Sequence, residues 1–249
     1  MRVLEQFLEA PHACAYLPNR AASLEVRVML DVSPSELDDL LERGWRRFGP
    51  IYFRPACAAC SECVSLRVRA DRFQPSKSQR RAERACAGLR RVVGAPVVDD
   101  ARLALYAKWH ASREDRRGWE HNPQNPERYG LELAFPHPCI REAAFYDDER
   151  EGALVAVGLF DVTPKALSAI FFYYDPLYAH LSLGTANVVS LVREAAASGR
   201  SLVYLGYRVT ECASLRYKAA FRPHELLLLD GWRPEMLEGS VHRRPLPSA

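Results

Sequence analysis

The apolar positions follow a helical period in four stretches of the chain and a strand-like pattern in most of the rest. The first helix is signalled at Asp31-Val-Ser33-Pro34-Ser-Glu36. Ser33 suits the cap, Pro34 the first helical position and Glu36 the return bond of a capping box. Leu37, Leu40 and Leu41 then make its buried stripe, and Gly44 stops it before an aromatic, strand-like run from Trp45 to Phe53. A strand over Val64 to Val68 leads to a second cap signal, Ser76-Lys-Ser-Gln79, which opens a helix to about Cys86. After Gly94-Ala-Pro96 a third helix runs from Asp100 to Ser112, with Leu103, Tyr106, Ala107 and His110 on one side. Arg113 to Gly130 has no sustained apolar period and reads as a long surface loop.

Strands follow at Ile140 to Tyr146, Ala153 to Phe160 and Ala166 to Tyr174, separated by acidic and Thr-Pro turns, as in an antiparallel meander. A helix from Gly184 to Ser198, cored by Val188, Leu191, Val192 and Ala195, precedes a buried strand at Leu202 to Tyr207. Strand, helix and strand here suit a parallel crossover. The order matches an N-acetyltransferase-like (GNAT) domain. The expected class is α+β: a cysteine-containing α/β region over residues 1–95, then a GNAT-like domain over residues 96–249 with a mixed, mostly antiparallel sheet. Arg233 to Ala249, with its three prolines, reads as a loosely held tail.

Charge changes this picture more than composition does. The 48% apolar fraction is ordinary, and no apolar stretch approaches the roughly 18 residues of a membrane span. The start carries acids where a secretory signal is apolar, so a cytoplasmic protein is expected. The formal charge of +3 hides an imbalance: Arg67 to Arg91 holds nine Arg and Lys against Asp71 and Glu83, leaving −4 for the remainder. Lys77, Arg80, Arg81 and Arg84 fall on one side of the second helix, a cationic face fit for nucleic-acid phosphates.

Seven cysteines without a secretion signal are read as thiols or metal ligands. Cys57-Ala-Ala-Cys60-Ser-Glu-Cys63 has the spacing of thiolates converging on zinc or an iron-sulfur cluster. Cys14 is the expected fourth ligand, with Cys86 and His12 as substitutes. Ser182-Leu-Gly184-Thr185-Ala186, between a strand and a helix, offers small residues and unpaired N–H groups to a phosphate. Capping by Ser182 or Thr185 is the alternative use of the same residues.

These motifs resemble the aminoacyl-tRNA-protein transferases, meaning the arginyltransferases and the bacterial aspartate/glutamate leucyltransferases. The resemblance runs from Cys14-Ala-Tyr16-Leu17-Pro18-Asn19-Arg20 through Tyr52-Phe-Arg54-Pro55-Ala-Cys57 to Cys63, and Phe73-Gln-Pro75-Ser-Lys-Ser-Gln79-Arg80-Arg81. It continues in Phe172-Tyr-Tyr174-Asp175-Pro176, Ser182-Leu-Gly184-Thr185 and Tyr204-Leu-Gly206-Tyr207, and ends in Tyr217-Lys218-Ala-Ala-Phe221-Arg222-Pro223. Two positions depart from the family pattern: Ser65 replaces a common proline, and Thr185-Ala-Asn187 lacks the aromatic often found after Gly-Thr.

The resemblance implies transfer of an aminoacyl group from charged tRNA to a protein beginning with Asp or Glu, which marks that protein for degradation through the N-degron (N-end rule) pathway. Leu is favoured over Arg as the donor residue. An aminoacyl ester is already activated, which fits the absence of a nucleophile elbow, and no cofactor is required for the transfer. Lys77, Arg80, Arg81 and Arg84 are then expected to hold tRNA phosphates, and Ser182, Gly184 and Thr185 the 3′ end. Tyr174, Tyr207 and Tyr217 are candidates to stabilise the oxyanion or relay a proton, and Asp175 to orient the amine. Arg20, Arg67, Lys218 and Arg222 are available for the acceptor's acidic side chain, with Lys218 favoured. The expected protein is a monomer. Two other classes fit the pattern less well: an acetyl-coenzyme A acetyltransferase and a non-catalytic, metal-bearing RNA-binding module.

Overall fold

A computed structural model describes residues 1–235. In chain order the elements are β1 (Arg2–Leu8), β2 (His12–Ala13), β3 (Ala21–Ala22), β4 (Leu24–Leu30), α1 (Pro34–Glu42), β5 (Arg46–Phe48), β6 (Ile51–Pro55) and β7 (Val64–Arg69). Next come α2 (Lys77–Ala85), β8 (Arg90–Gly94), α3 (Asp100–Arg117), α4 (Pro126–Glu132), β9 (Ile140–Asp147), β10 (Ala153–Val162) and β11 (Ala166–Tyr174). The last are α5 (Leu183–Ala197), β12 (Leu202–Arg208), α6 (Ala213–Arg216), β13 (His224–Leu228) and β14 (Gly231–Pro234). The tail expected from Arg233 thus begins as part of a strand, and residues 236–249 lie outside the described residues.

Both capping boxes form. Ser33 N donates to Glu36 Oε2 at 2.8 Å while Ser33 Oγ accepts from Glu36 N. Ser76 and Gln79 repeat the arrangement at the start of α2. Leu37, Leu40 and Leu41 are buried as expected, and Gly44 takes φ +80° where α1 turns into β5.

The long loop expected over Arg113 to Gly130 is overturned. Helix α3 continues to Arg117 and is closed by Gly118 at φ +63°. Asn125 then caps α4 through Arg128 N, with Pro126 in its first turn. The Asn-Pro step is therefore a helix start rather than loop punctuation. What the apolar period did not reveal is held by rings and polar ties: Trp119 packs on Trp109 and His110, while Glu114 Oε1 meets both His110 and His121.

Eight strands form one sheet in the order β14-β13-β7-β12-β11-β10-β9-β8, and four more form a second in the order β1-β4-β6-β5. The meander β9-β10-β11 is antiparallel, and β11 pairs with β12 in parallel across the α5 crossover. The sheets do not part at residue 95: β7 lies inside the larger sheet, between β12 and β13, and β8 is its edge. Residues 64–94 thus complete the sheet of the C-terminal half, because β12 needs a partner on the side away from β11.

One face of the large sheet is covered by α2 and α5, whose Ala82, Val188, Leu191 and Val192 join Val203 and Leu205. On the other face, Trp45 and Tyr52 of the N-terminal region pack with Ala166 and Tyr204. Alongside them Tyr106 and Trp109 of α3 and Tyr129 of α4 pack on Val157, Leu159 and Tyr173.

The two sheets are tied by adjacent arginines of β5. Arg47 Nε donates to Asp161 Oδ2 of β10 at 3.0 Å, and Arg47 Nη1 donates to Gly49 O. Their side chains are 2% and 1% exposed, so removing one charge strands the other. We expect Asp161→Asn to cost about 3–5 kcal/mol in urea unfolding at neutral pH. Replacing the pair together, Arg47→Leu with Asp161→Leu, is expected to cost much less than Asp161→Asn.

Candidate active site

Parallel pairing between β11 and β12 covers only Ala166–Ser168 and Leu202–Tyr204. Beyond these residues the strands diverge, and β12 is irregular between Tyr204 and Gly206. Arg46 enters at this fork. Its Nη1 donates to Ser168 Oγ at 2.8 Å and its Nη2 to Ala169 O.

Gly206, at φ +80°, lies directly alongside. A Cβ there would stand 3.4 Å from Arg46 Nε and 3.5 Å from Lys218 Nζ. Lys218 Nζ donates to Tyr207 O at 2.8 Å. Among the described residues neither cation has a carboxylate at ion-pair distance. Burial, then the Arg46 charge, pulls the Lys218 ammonium down to about 7, against the opposing pull of Cys212 and Cys63. Burial likewise lowers the pKa of Arg46. The fork is thus a half-buried, positively charged position without a counter-ion among the described residues.

The other expected acceptor cations are placed differently. Arg67 is spent on structure: Nε meets Glu225 at 2.6 Å, Nη1 meets Glu42 at 2.5 Å, and the guanidinium lies 4.2 Å from the Trp232 ring. Arg222 pairs with Glu235 at 3.1 Å. Arg20 is exposed and lines a cavity of about 200 Å³ with Leu8, Glu9, Ser23, Cys57 and Cys60.

Three of the four expected catalytic groups are also engaged. The Tyr207 hydroxyl donates between Gly44 O at 3.1 Å and Phe53 O at 3.2 Å, holding the β5-β6 hairpin, and burial raises its pKa. Tyr174 OH accepts from Arg113 Nη2 at 3.0 Å. Asp175 accepts from Leu177 N at 2.9 Å and from Lys108 Nζ at 2.6 Å, so it caps a turn and pairs with α3. Tyr217, 46% exposed with its ring edge-on to Phe221, keeps a hydroxyl without a partner among the described residues.

Lys77, Arg80, Arg81 and Arg84 are all exposed on α2, and none forms an ion pair among the described residues. Glu83, the acid of that helix, is taken by Arg193 of α5. The buried side of α2 carries Ala82 and Gln79, and Gln79 Nε2 donates to Ala220 O at 3.1 Å. The basic helix is therefore bonded to the short turn Tyr217–Ala220 that carries Lys218.

At the start of α5, Ser182 has φ +58° and makes no side-chain cap bond, so the capping alternative for Ser182 does not hold. Gly184 packs on Phe172, and Thr185 N donates to Ser182 O. Asn187, one turn in, is 4% exposed with Oδ1 unpaired, and it fills the space over Gly158, where a Cβ would come within 2.8 Å of that oxygen.

Arg46, Gly158 and Asn187 are the groups of interest that the sequence reading missed. Two successive arginines in a short aromatic strand were the available signal for Arg46: pleating turns neighbouring side chains apart, so they meet different surroundings.

The cysteines gather around Cys63. Burial, then the neighbouring Cys14, Cys57, Cys60 and Cys212, pushes its thiol up to about 12. Cys57 Sγ is held by Ser23 N at 3.5 Å and Ser23 O at 3.6 Å. Cys86 is elsewhere, buried under α2 against Leu181 O. Among the described residues no group of three or more His, Cys, Asp or Glu side chains is disposed to hold a metal ion.

Comparison with known proteins places this geometry. The model of the arginine-tRNA-protein transferase N terminus matches residues 12–81, and that of the C terminus matches residues 101–228. The aspartate/glutamate leucyltransferase of Halorhodospira halophila is 39% identical over 227 residues, covering 90% of this chain and 94% of that protein. That of Helicobacter hepaticus is 32% identical, covering 91% and 93%. The solved structure of FemX overlaps only loosely, with a TM-score of 0.43 at 8% identity over 74% of this chain and 63% of its own. Family models spanning both halves and near-full-length relatives replace the acetyl-coenzyme A and non-catalytic alternatives: the chain is an aminoacyltransferase and belongs to the arginine-tRNA-protein transferase family.

Proposed function

We propose that the protein transfers a leucyl group from Leu-tRNA to the α-amine of proteins whose first residue is Asp or Glu. The observation that carries this reading is the pair of half-buried cations at the β11-β12 fork, which lack a carboxylate partner among the described residues in a chain of this family. Leu is favoured over Arg because the relatives that span nearly the whole chain are named leucyltransferases.

The exposed face of α2 holds tRNA phosphates through Lys77, Arg80, Arg81 and Arg84. The 3′ end reaches the start of α5 at Ser182, Gly184 and Thr185, where no side chain caps the helix and its dipole favours a phosphate. The acceptor amine attacks the ester carbonyl carbon, the carbon–oxygen bond to the ribose breaks, and the ribose oxygen takes the proton that the nitrogen gives up. The Tyr217 hydroxyl, without a partner among the described residues, donates to the developing oxyanion. Tyr174, Asp175 and Tyr207 hold the surrounding turns and strands. Lys218 meets the acceptor's acidic side chain.

The product, a protein extended by Leu, is marked for degradation through the N-degron pathway. The protein acts as a cytoplasmic monomer; among the described residues no helix is long and apolar enough to cross a membrane. Zinc or an iron-sulfur cluster at Cys14, Cys57, Cys60 and Cys63 acts as a brace rather than in the transfer, and it requires these thiols to close further around the ion. Elemental analysis of protein prepared without oxygen tests this, and protein free of zinc and iron would remove the brace.

Incubation with labelled Leu-tRNA or Arg-tRNA and an Asp-initiated peptide is expected to label the peptide from Leu-tRNA alone. Label from Arg-tRNA instead would overturn the donor assignment. Replacing Arg80 and Arg81 with Ala is expected to weaken tRNA binding and to reduce the slope of log K against log salt by roughly 1.5, the share of two phosphates. Lys218 loses its charge as pH rises through about 7. The acceptor amine, with a pKa near roughly 7.7–8.0, gains reactivity over the same interval. The profile of kcat/KM for the Asp peptide is therefore expected to be bell-shaped in the wild type. Lys218→Arg, which does not titrate there, is expected to keep the rising limb and lose the falling one.

A further inference from the structure

We infer that Arg46 is the principal specificity-determining residue of the acceptor site, its guanidinium receiving the side-chain carboxylate of the acceptor's first residue together with Lys218. The inference rests on the acceptor reading above and names the group that enforces it.

Three arginines whose side chains are no more than 12% exposed each meet a carboxylate. Arg47 has Asp161, Arg102 has Glu142 and Asp99, and Arg67 has Glu225 and Glu42. Arg46 donates only to neutral oxygens, Ser168 Oγ and Ala169 O. A guanidinium taken from water without a counter-charge destabilises the fold, and a second uncompensated cation beside it adds to that cost. The arrangement is relieved when an anion enters.

The number of unused donors identifies where that anion sits. A guanidinium has five N–H groups, and two of those on Arg46 are committed to β11. Its Nε is the atom nearest the point where Gly206 lacks a side chain, and Lys218 Nζ reaches the same point. Lys218 also has donors to spare after its bond to Tyr207 O. The planar guanidinium edge matches the two oxygens of a carboxylate, and the ammonium can bind one of them from the side. Gly206 keeps this space open, and its positive φ disfavours any replacement.

A tRNA phosphate is a poorer occupant of this place. The exposed basic face of α2 and the start of α5 lie with the cluster containing Val203 and Leu205. Arg46 reaches the fork from the N-terminal sheet, whose cluster contains Tyr52 and Tyr204 on the other face.

The test uses the full-length protein with Leu-tRNA and three peptides that differ only in a first residue of Asp, Glu or Asn. Arg46→Gln is expected to lower kcat/KM for the Asp and Glu peptides by roughly 30-fold or more and for the Asn peptide far less, so that acidic preference collapses. Arg46→Lys, which keeps the charge but not the fork-shaped donor edge, is expected to recover part of the preference, and it serves as the reading should Arg46→Gln not fold. Leu-tRNA affinity is expected to stay at the wild-type value in both. A variant that keeps the wild-type Asp-to-Asn ratio, or loses transfer equally to all three peptides, would overturn the inference and leave Arg46 a structural tie.

Calorimetric titration of the same peptides without tRNA separates this from the proposed activity. Tighter binding of Asp than Asn peptide by the wild type, lost in Arg46→Gln, supports the receptor even where no leucyl transfer occurs. Equal binding of both peptides by the wild type would overturn it.

Discussion

The Arg47–Asp161 pair sets the geometry on which the site depends. It is almost fully buried, joins β5 to β10, and holds the small N-terminal sheet in one position on the large one. A charge pair so placed tolerates little displacement, because any shift exposes one partner to an unmatched, low-dielectric environment. With β5 held by Arg47, its neighbour Arg46 is held too, and it points into the gap where β11 and β12 part. The Tyr207 hydroxyl secures the same hairpin from the β12 side.

Two cations without counter-ions among the described residues work against the fold. Arg47 and Arg67, close in sequence or space, show how this chain neutralises a buried guanidinium when it serves only structure. Among the described residues no such acid stands at Arg46 and Lys218, and this is the basis for proposing the fork as the place of the acceptor's carboxylate. The bond from Gln79 to Ala220 connects this position to the basic helix on the opposite face. The exposed basic face of α2 and the turn carrying Lys218 are therefore parts of one packed unit rather than separate modules.

How much of this was legible in sequence depended on how local each cause is. The capping boxes at Ser33 and Ser76, the basic face of α2, the meander and the α5 crossover all follow from residues within a few positions of one another, and all were expected. The 113–130 segment was misread because its order comes from Trp109, His110, Trp119 and His121, rings and polar ties that leave no regular apolar period. The place of β7 was hidden in the same way: nothing in Val64–Arg69 itself says that β12 and β13 will lie on its two sides.

By itself the sequence determined the family motifs, the cationic helix, most regular elements and the candidate status of Lys218. Only the tertiary structure decided which cations are free. Arg67 and Arg46 look equally available in sequence, yet one meets Glu225, 158 positions away, and the other meets the neutral oxygens of Ser168 and Ala169, 122 and 123 positions away. A charge's availability depends on what the fold packs against it, and such distant partners leave no trace in local pattern. The same physics engages Tyr207 and Asp175 in holding strands and turns and sets Arg46 at the fork.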